Sequence, residues 1–330
     1  MVKGLHLLLV LLLVASIGDS LAQDKKSKKI IKIGVTRSAS YQVFDADEKG
    51  FEKRLAERGF KERVSVIYDR QNARGNMANA QAIAPKLLDA GVDLIHSIGT
   101  PASQAVVKTI RSIPIVFSSV TDPVDAGLVP KTSPPGTKTG TNVTGVSDPW
   151  PVSPQFEMYL KFVPKAKKWG TIYNPADPYA LFCVKEMRKT AKKLGVEMVE
   201  ATGSSNTEIT QAALSLAGRV QAILIAPGSI VRSSFEAIVK VCNEKKIPLF
   251  AGDPDNVPRG AIAAYGLDYF AIGLSAGSMA ADILEGKKAG DIPWGPVEAF
   301  SLIVSEKAAK AQGVVIPFNL LKKADKIVEE

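Results

Sequence analysis

The sequence predicts an α/β protein of two Rossmann-like lobes, each built on a parallel sheet. Three observations carry this. Short apolar, β-branched runs alternate with longer amphipathic stretches along most of the chain. The rhythm breaks at 129–141, a run rich in Pro, Thr and Gly with no apolar period, and then resumes. The 330 residues suffice for two domains with substantial cores.

In chain order, 30–35 reads as a strand and 45–58 as a helix closed by Gly59. Strand 64–68 and helix 77–90, stopped by Gly91, follow. Strand 92–97, helix 102–111 and strand 114–117 complete a first series. After the aperiodic loop, 142–146 reads as extended chain making the first passage between domains. The second series runs helix 154–163, strand 169–173, helix 179–194, strand 196–200, helix 207–217, strand 220–225, helix 231–245 and strand 248–251. Residues 260–265 open the tail. The helix over 271–284 is rich in Gly and Ala and suited to close packing, 299–304 is a strand, and 305–312 and 320–328 read as terminal helices. The tail is too short for a third domain and completes the first two. The lobes are therefore expected over 30–143 with 267–290, and over 144–266 with 291–330.

Residues 1–22 stand apart. Lys3, an apolar run over 7–15 and Ser20-Leu21-Ala22 form a secretory signal peptide cleaved near Ala22, too short to span a bilayer. The mature chain is expected to be exported, soluble and monomeric. Cys183 and Cys242 lie in apolar-periodic helical stretches and read as buried thiols, with a disulfide between them left open. No Cys/His spacing suits a metal. The net charge of +9 is scattered over helix faces such as Lys185, Arg188, Lys189, Lys192 and Lys193, so nucleic acid is not expected as a partner.

In open parallel sheets ligands bind beyond the carboxyl ends of the strands. Those ends offer Arg37, Ser38 and Tyr41, then Thr100-Pro101-Ala102-Ser103, Thr121-Asp122 and Ser147. In the second half they offer Asn174, Tyr179, Gly228-Ser229 and Asp253. Thr100 suits an N-cap and Pro101 the first helical position, which leaves backbone N–H groups free to seat a carboxylate. The same turn also reads as an ordinary capped helix start. Arg37 has two readings, a partner for an anionic ligand or a solvated loop arginine. Asp122, Asp253 and Asp255 equally suit turn or cap duty beside Pro. No Gly-x-Ser-x-Gly elbow, Walker A loop or Gly-x-Gly-x-x-Gly is present, so neither an enzyme nor a cofactor is expected. His96, the mature chain's one histidine, lies inside a strand and reads as core.

Several stretches together carry a family resemblance. They are Gly99-Thr100-Pro101-Ala102-Ser103-Gln104, Ile113-Pro114-Ile115-Val116-Phe117 and Thr121-Asp122-Pro123-Val124 with Ala126-Gly127-Leu128-Val129. Asn142-Val143-Thr144-Gly145-Val146-Ser147-Asp148, Phe250-Ala251-Gly252-Asp253 and Tyr265-Gly266-Leu267-Asp268-Tyr269 continue the set. The chain resembles the TrpX-like substrate-binding proteins of ABC transporters, over nearly all its mature length. The resemblance implies a type I periplasmic binding protein: two lobes joined by three crossings, a small ligand between them, residence in the periplasm, and delivery to an ABC permease. It also implies that Thr100, Pro101, Ala102, Ser103, Thr121 and Asp122 lie on the carboxylate side of the ligand. The sequence departs from the family pattern at Tyr41-Gln42, Tyr179-Ala180, Gly228-Ser229 and Gly252-Asp253-Pro254-Asp255. A carboxylate-bearing ligand with a different second half is therefore expected, an aromatic or branched amino acid among the candidates. A sensor that signals to a membrane receptor, and less readily an exported α/β enzyme, are the competing functions.

Overall fold

The computed structural model describes residues 30–329. The expected signal peptide lies outside them. The first lobe is a six-stranded sheet built in chain order from β1 (Ile31–Arg37), α1 (Gln42–Glu57), β2 (Val66–Asn72), α2 (Met77–Asp89), β3 (Leu94–Ile98), α3 (Thr100–Thr109), β4 (Ile115–Val120) and β5 (Val143–Ser147). The second follows with α4 (Val152–Leu160), β6 (Lys168–Tyr173), α5 (Pro178–Lys193), β7 (Glu197–Thr202), α6 (Asn206–Leu216), β8 (Ala222–Ile225), α7 (Ser229–Ser233), α8 (Phe235–Lys245), β9 (Leu249–Ala251) and β10 (Ala263–Leu267). Helix α9 (Tyr269–Leu284) and β11 (Gly295–Pro296) then return to the first lobe. β12 (Phe300–Ser305), α10 (Glu306–Ala311), α11 (Phe318–Leu321) and β13 (Lys326–Val328) finish the second.

Sheet one has the order β11-β5-β4-β3-β1-β2, all parallel. Sheet two has the order β13-β12-β10-β9-β8-β6-β7, with β10 and β12 antiparallel. The chain thus crosses three times: from Ser147 to Val152, from Leu267 to Tyr269, and from Pro296 to Phe300. The crossings lie side by side, since Pro296 is opposite Ser147, Leu267 is opposite Phe300, and the Asp268 N–H donates to the Ala299 carbonyl at 3.0 Å. The sheets place the lobe limits later than the sequence suggested. Residues 143–147 and 295–296 are strands of the first sheet: the buried 143–147 pairs with β4, and 295–296 pairs with β5 at the sheet edge.

Each sheet is covered on both faces. In lobe one, Phe51 and Leu55 of α1 pack with Ile272 and Ala276 of α9 on one face, and α2 and α3 cover the other. In lobe two, Phe156, Tyr159, Trp169 and Phe250 form one layer, and Phe235, Ile238 and Leu216 the other. Each such large apolar side chain contributes about 1.5–3 kcal/mol on burial. Cys183 lies with the first of these layers on α5, and Cys242 belongs to the second on α8; both are buried free thiols. Helix α9 reaches α1 through glycine. A Cβ on Gly273 would lie 1.9 Å from the Asp47 carbonyl oxygen, and one on Gly50 2.1 Å from that of Phe270.

A polar knot is buried beneath α1. His96 is fully buried in β3, as expected; its Nε2 lies 2.8 Å from Ser118 Oγ, and Phe51 stacks on its ring. Asp47 accepts a hydrogen bond from Ser119 Oγ and lies 3.6 Å from His96 Nε2. Burial pushes the Asp47 carboxyl up to about 7 and holds the His96 imidazole down at about 3, so both are neutral near pH 5.

Three elements differ from expectation. β2 runs later, through Asp69-Arg70-Gln71-Asn72, because an edge strand pairs on one side only and tolerates polar residues. The helix over 231–245 breaks at Ser234, where Ser233 and Ser234 donate their hydroxyls to Asn206 Oδ1. The helix over 320–328 is a short turn and an edge strand. Asp325 exchanges hydrogen bonds with Leu302 and pins the chain extended.

Candidate functional site

The chain leaves sheet one at the carboxyl end of β5 and leaves sheet two at the carboxyl end of β10. The carboxyl edges of both sheets therefore flank the crossings, and the cleft lies between them.

On the first lobe, three adjacent strands end side by side. β3 runs into Gly99, whose φ of +85° and missing side chain make the turn. A Cβ there would meet Ser38 Oγ at 2.7 Å and the Phe44 ring at 2.9 Å. Gly99, not Thr100, is the N-cap of α3, so Thr100 is its first residue. Ser38 supplies the side-chain cap: its Oγ accepts from the Ala102 N–H at 3.0 Å and donates to the Ile98 carbonyl at 3.1 Å. The Ser103 N–H goes to the Gly99 carbonyl. That leaves the Thr100 end of the helix, half-exposed, with no partner for its hydroxyl among the described residues. Next in the sheet, β4 ends at the exposed Thr121, and β5 ends at Ser147-Asp148.

The other residues singled out in this lobe have structural partners. Arg37 is ion-paired to Asp45 and to Glu48, so its guanidinium is occupied, which neither sequence reading anticipated. Asp122 Oδ1 accepts from the Val124 and Asp125 N–H groups and shapes the turn. Ala102, Ser103 and Ser147 are buried, and Ser103 Oγ pairs with Ser97 Oγ at 2.9 Å; these side chains point into the lobe. Pro101 is exposed on the helix tip, and Tyr41, 60% exposed, leans on Phe44.

On the second lobe, Asn174 follows β6, Gly228 and Ser229 follow β8, and Asp253 follows β9. Asn174, Asp177, Ser229 and Ser233, with Ala176 and Ile230, line an open depression of about 550 Å³. Asn174 Oδ1 holds the Ala176 N–H, and Asp177 caps α5. Asp253 caps a short helical turn at Asp255 N and is ion-paired to Arg232. Tyr179, on the first turn of α5, is 45% exposed. Burial, Cys183 and the first lobe's Asp148 all raise its phenol above the ordinary tyrosine value.

Sequence reasoning missed two residues. The half-buried Asp148 accepts hydrogen bonds from Thr121 Oγ1 at 3.2 Å and Tyr269 OH at 3.1 Å. Burial pushes its carboxyl up to about 6. In the sequence both residues, Asp148 and Tyr269, stood only at the ends of stretches that carry the family resemblance, with no site role attached.

A model of the family described as ABC transporter substrate binding protein matches residues 32–328. The chain is 37% identical to the tyrosine-binding protein of Clostridioides difficile (strain R20291) over 291 residues, 88% of this chain and 83% of that protein. Among solved structures it is similar to the ligand-free, open structure of a substrate binding protein with adhesive properties from Clostridium difficile, at 34% identity and a TM-score of 0.85, covering 91% of this chain and 100% of that one. It is also similar to an ABC domain from Streptococcus pneumonia in complex with L-Trp, at 28% identity and a TM-score of 0.70, covering 90% and 99%.

Proposed function

Because the chain belongs to the ABC transporter substrate binding protein family, we propose that it captures a small carboxylate-bearing ligand between its lobes and delivers it to a membrane permease. An aromatic amino acid is the first candidate, on the strength of the tyrosine-binding relative and the L-Trp complex. The observation that carries the reading is the unpartnered Thr100 hydroxyl at the N-terminus of α3, beside Thr121 on the cleft edge of the first sheet. The helix end favours negative charge, and the free Thr100 hydroxyl beside it donates to a carboxylate. Tyr179, Asn174 and Ser229 on the second lobe supply an aromatic face and hydrogen-bonding groups for the rest of the ligand.

Binding needs no covalent chemistry. Ligand seats on the first lobe, the second closes over it, and the closed form gains population by its higher affinity. A few charge-assisted hydrogen bonds of about 1.5–3 kcal/mol each, with one aromatic contact, reach the roughly −8 kcal/mol of micromolar binding. Residues 1–22 direct export to the periplasm, where the mature chain meets its permease.

Calorimetry of the purified protein with L-tyrosine, L-tryptophan, L-phenylalanine and L-leucine tests the reading. At least one should bind near micromolar and be recovered chemically unchanged. Heat-silent titrations with all four, supported by unchanged melting temperatures, would overturn it. Cell fractionation should place a shortened chain outside the cytoplasm.

A further inference from the structure

We propose that the pole of lobe two opposite the cleft is a docking surface for an anionic phospholipid bilayer. The inference is independent of what the cleft binds.

Topology makes the pole. At the edge of sheet two away from the crossings, β6 to β9 begin and the helices before them end. Hydrogen bonds tie these segments into one surface. The Glu197 N–H donates to the Lys167 carbonyl, the Gln221 N–H to that of Lys168 and the Ile223 N–H to that of Pro248. Gln312 closes the row by accepting from the Leu249 N–H, and Lys246 donates to the Ala311 carbonyl. Residues 165–168, 192–197, 219–221, 244–248 and 310–313 thus meet at one end of the molecule. They hold nine Lys and Arg against two Glu. All nine cations are exposed. Among the described residues only Lys168 of the nine is ion-paired, to Glu197 at 3.1 Å.

Helix C-termini attract cations in any α/β fold, and that alone makes no site. The matching edge of sheet one supplies the contrast. Its residues 61–65, 89–93, 111–114, 138–142 and 287–291 hold six cations and four acids. The lysines that look scattered along the sequence therefore gather on one pole of one lobe.

Two apolar side chains stand out from the same end. Val315, three residues past Gln312, is 90% exposed, and Phe318 is 70% exposed. Ile316 and Leu320 between and beyond them are buried in the lobe and hold the segment in place. Lys322 lies 4.7 Å from the centre of the Phe318 ring, so a cation flanks the exposed aromatic.

This combination selects the partner. Lysines are hydrated point charges and suit a plane of diffuse negative charge, whereas detailed phosphate recognition favours the arginine fork; eight of the nine cations are Lys. A soluble polyanion offers nothing to Val315 and Phe318, but the boundary between headgroups and acyl chains accepts such side chains. Docked in this way, the protein keeps its cleft, at the opposite edge of the same sheet, turned towards solvent.

Co-sedimentation of the purified protein with vesicles tests the inference. Phosphatidylcholine vesicles with about one-third phosphatidylglycerol should retain it at low ionic strength, and pure phosphatidylcholine should not. Salt near 1 M, where the Debye length falls to about 3 Å, should release most of it. Lys165→Gln, Lys192→Gln and Lys193→Gln together should weaken binding by about tenfold or more. Val315→Ser with Phe318→Ser should weaken vesicle binding by about tenfold and leave retention on soluble polyphosphate unchanged. In wild type, the anionic vesicles should shield Lys165, Lys192 and Lys193 from an amine-acylating reagent, read by mass spectrometry. Failure of wild type to bind the anionic vesicles overturns the inference, as does a folded charge variant that binds them fully. An apolar variant that loses no vesicle affinity reassigns the pole to a soluble polyanion and overturns the bilayer. Equal labelling of the three lysines with and without vesicles overturns it with no variant needed.

Discussion

A buried carboxyl and a buried imidazole in the first lobe carry opposite messages about pH. Asp47 and His96 lie 3.6 Å apart in the core, one raised and one lowered by burial. Between about pH 4 and 6.5 the native pair holds one proton, on Asp47, and the unfolded pair also holds one, on His96. The pair's own contribution to stability should therefore be flat across that window, and each variant is read against wild type. Each single variant should expose the hidden slope of its partner. In Asp47→Asn, His96 gains a proton on unfolding, so stability should fall as pH drops from 6.5 towards 3. In His96→Asn, Asp47 loses a proton on unfolding, so stability should fall as pH rises from 4 to 7. The slopes approach about 1.4 kcal/mol per pH unit in opposite senses, read from urea midpoints at several pH values. Asp148 adds a third slope. Burial raises its carboxyl to about 6, so it loses a proton on unfolding and stability should fall as pH rises from about 4 to 6. Asp148→Asn should remove that slope from the urea midpoints.

At the scale of elements, the tightest joint is that between α1 and α9. Gly273→Ala would push a methyl into the Asp47 backbone, where no flexible side chain can yield. Overpacking of this kind costs about 1–3 kcal/mol, so the melting temperature should fall by several degrees. Gly218→Ala serves as the control for adding a methyl in open space, with only the cost of its positive φ. The small-residue helix was legible in the sequence as a close-packing element, and so were most strand–helix pairs, because apolar period and glycine stops are local signals. What escaped was set by tertiary position. β2 looked too polar because its edge location is invisible in one dimension. The final strand looked helical because Asp325 finds its partner, Leu302, in another strand. In the cleft, the Thr100 turn was recognisable, since strand, cap and helix are contiguous. The real cap is shared between Gly99 and the distant Ser38. Asp148 and Tyr269 stayed hidden because 121 positions separate them and only the chain crossings bring them together.

For the whole molecule, three parallel crossings limit how the lobes move. A single strand permits swivelling, but three side by side leave bending about one axis. The structure is more similar to the ligand-free, open relative than to the L-Trp complex. Saturating the protein with a bound amino acid should therefore shrink the radius of gyration in small-angle scattering, with the same concentration dependence as calorimetric binding. An unchanged radius at saturation would show that capture proceeds without closure.

The interleaved path of the chain also has a consequence for how the protein is made. Lobe one lacks α9 until residue 284 has emerged, and lobe two lacks its antiparallel strand until residue 305. Neither half can be finished early during translation, because each waits for segments near the end of the message. A premature stop shortly after Tyr269 would not release one sound lobe and one broken one; it would leave both with an open flank of exposed apolar surface, as substrates for chaperones and proteases.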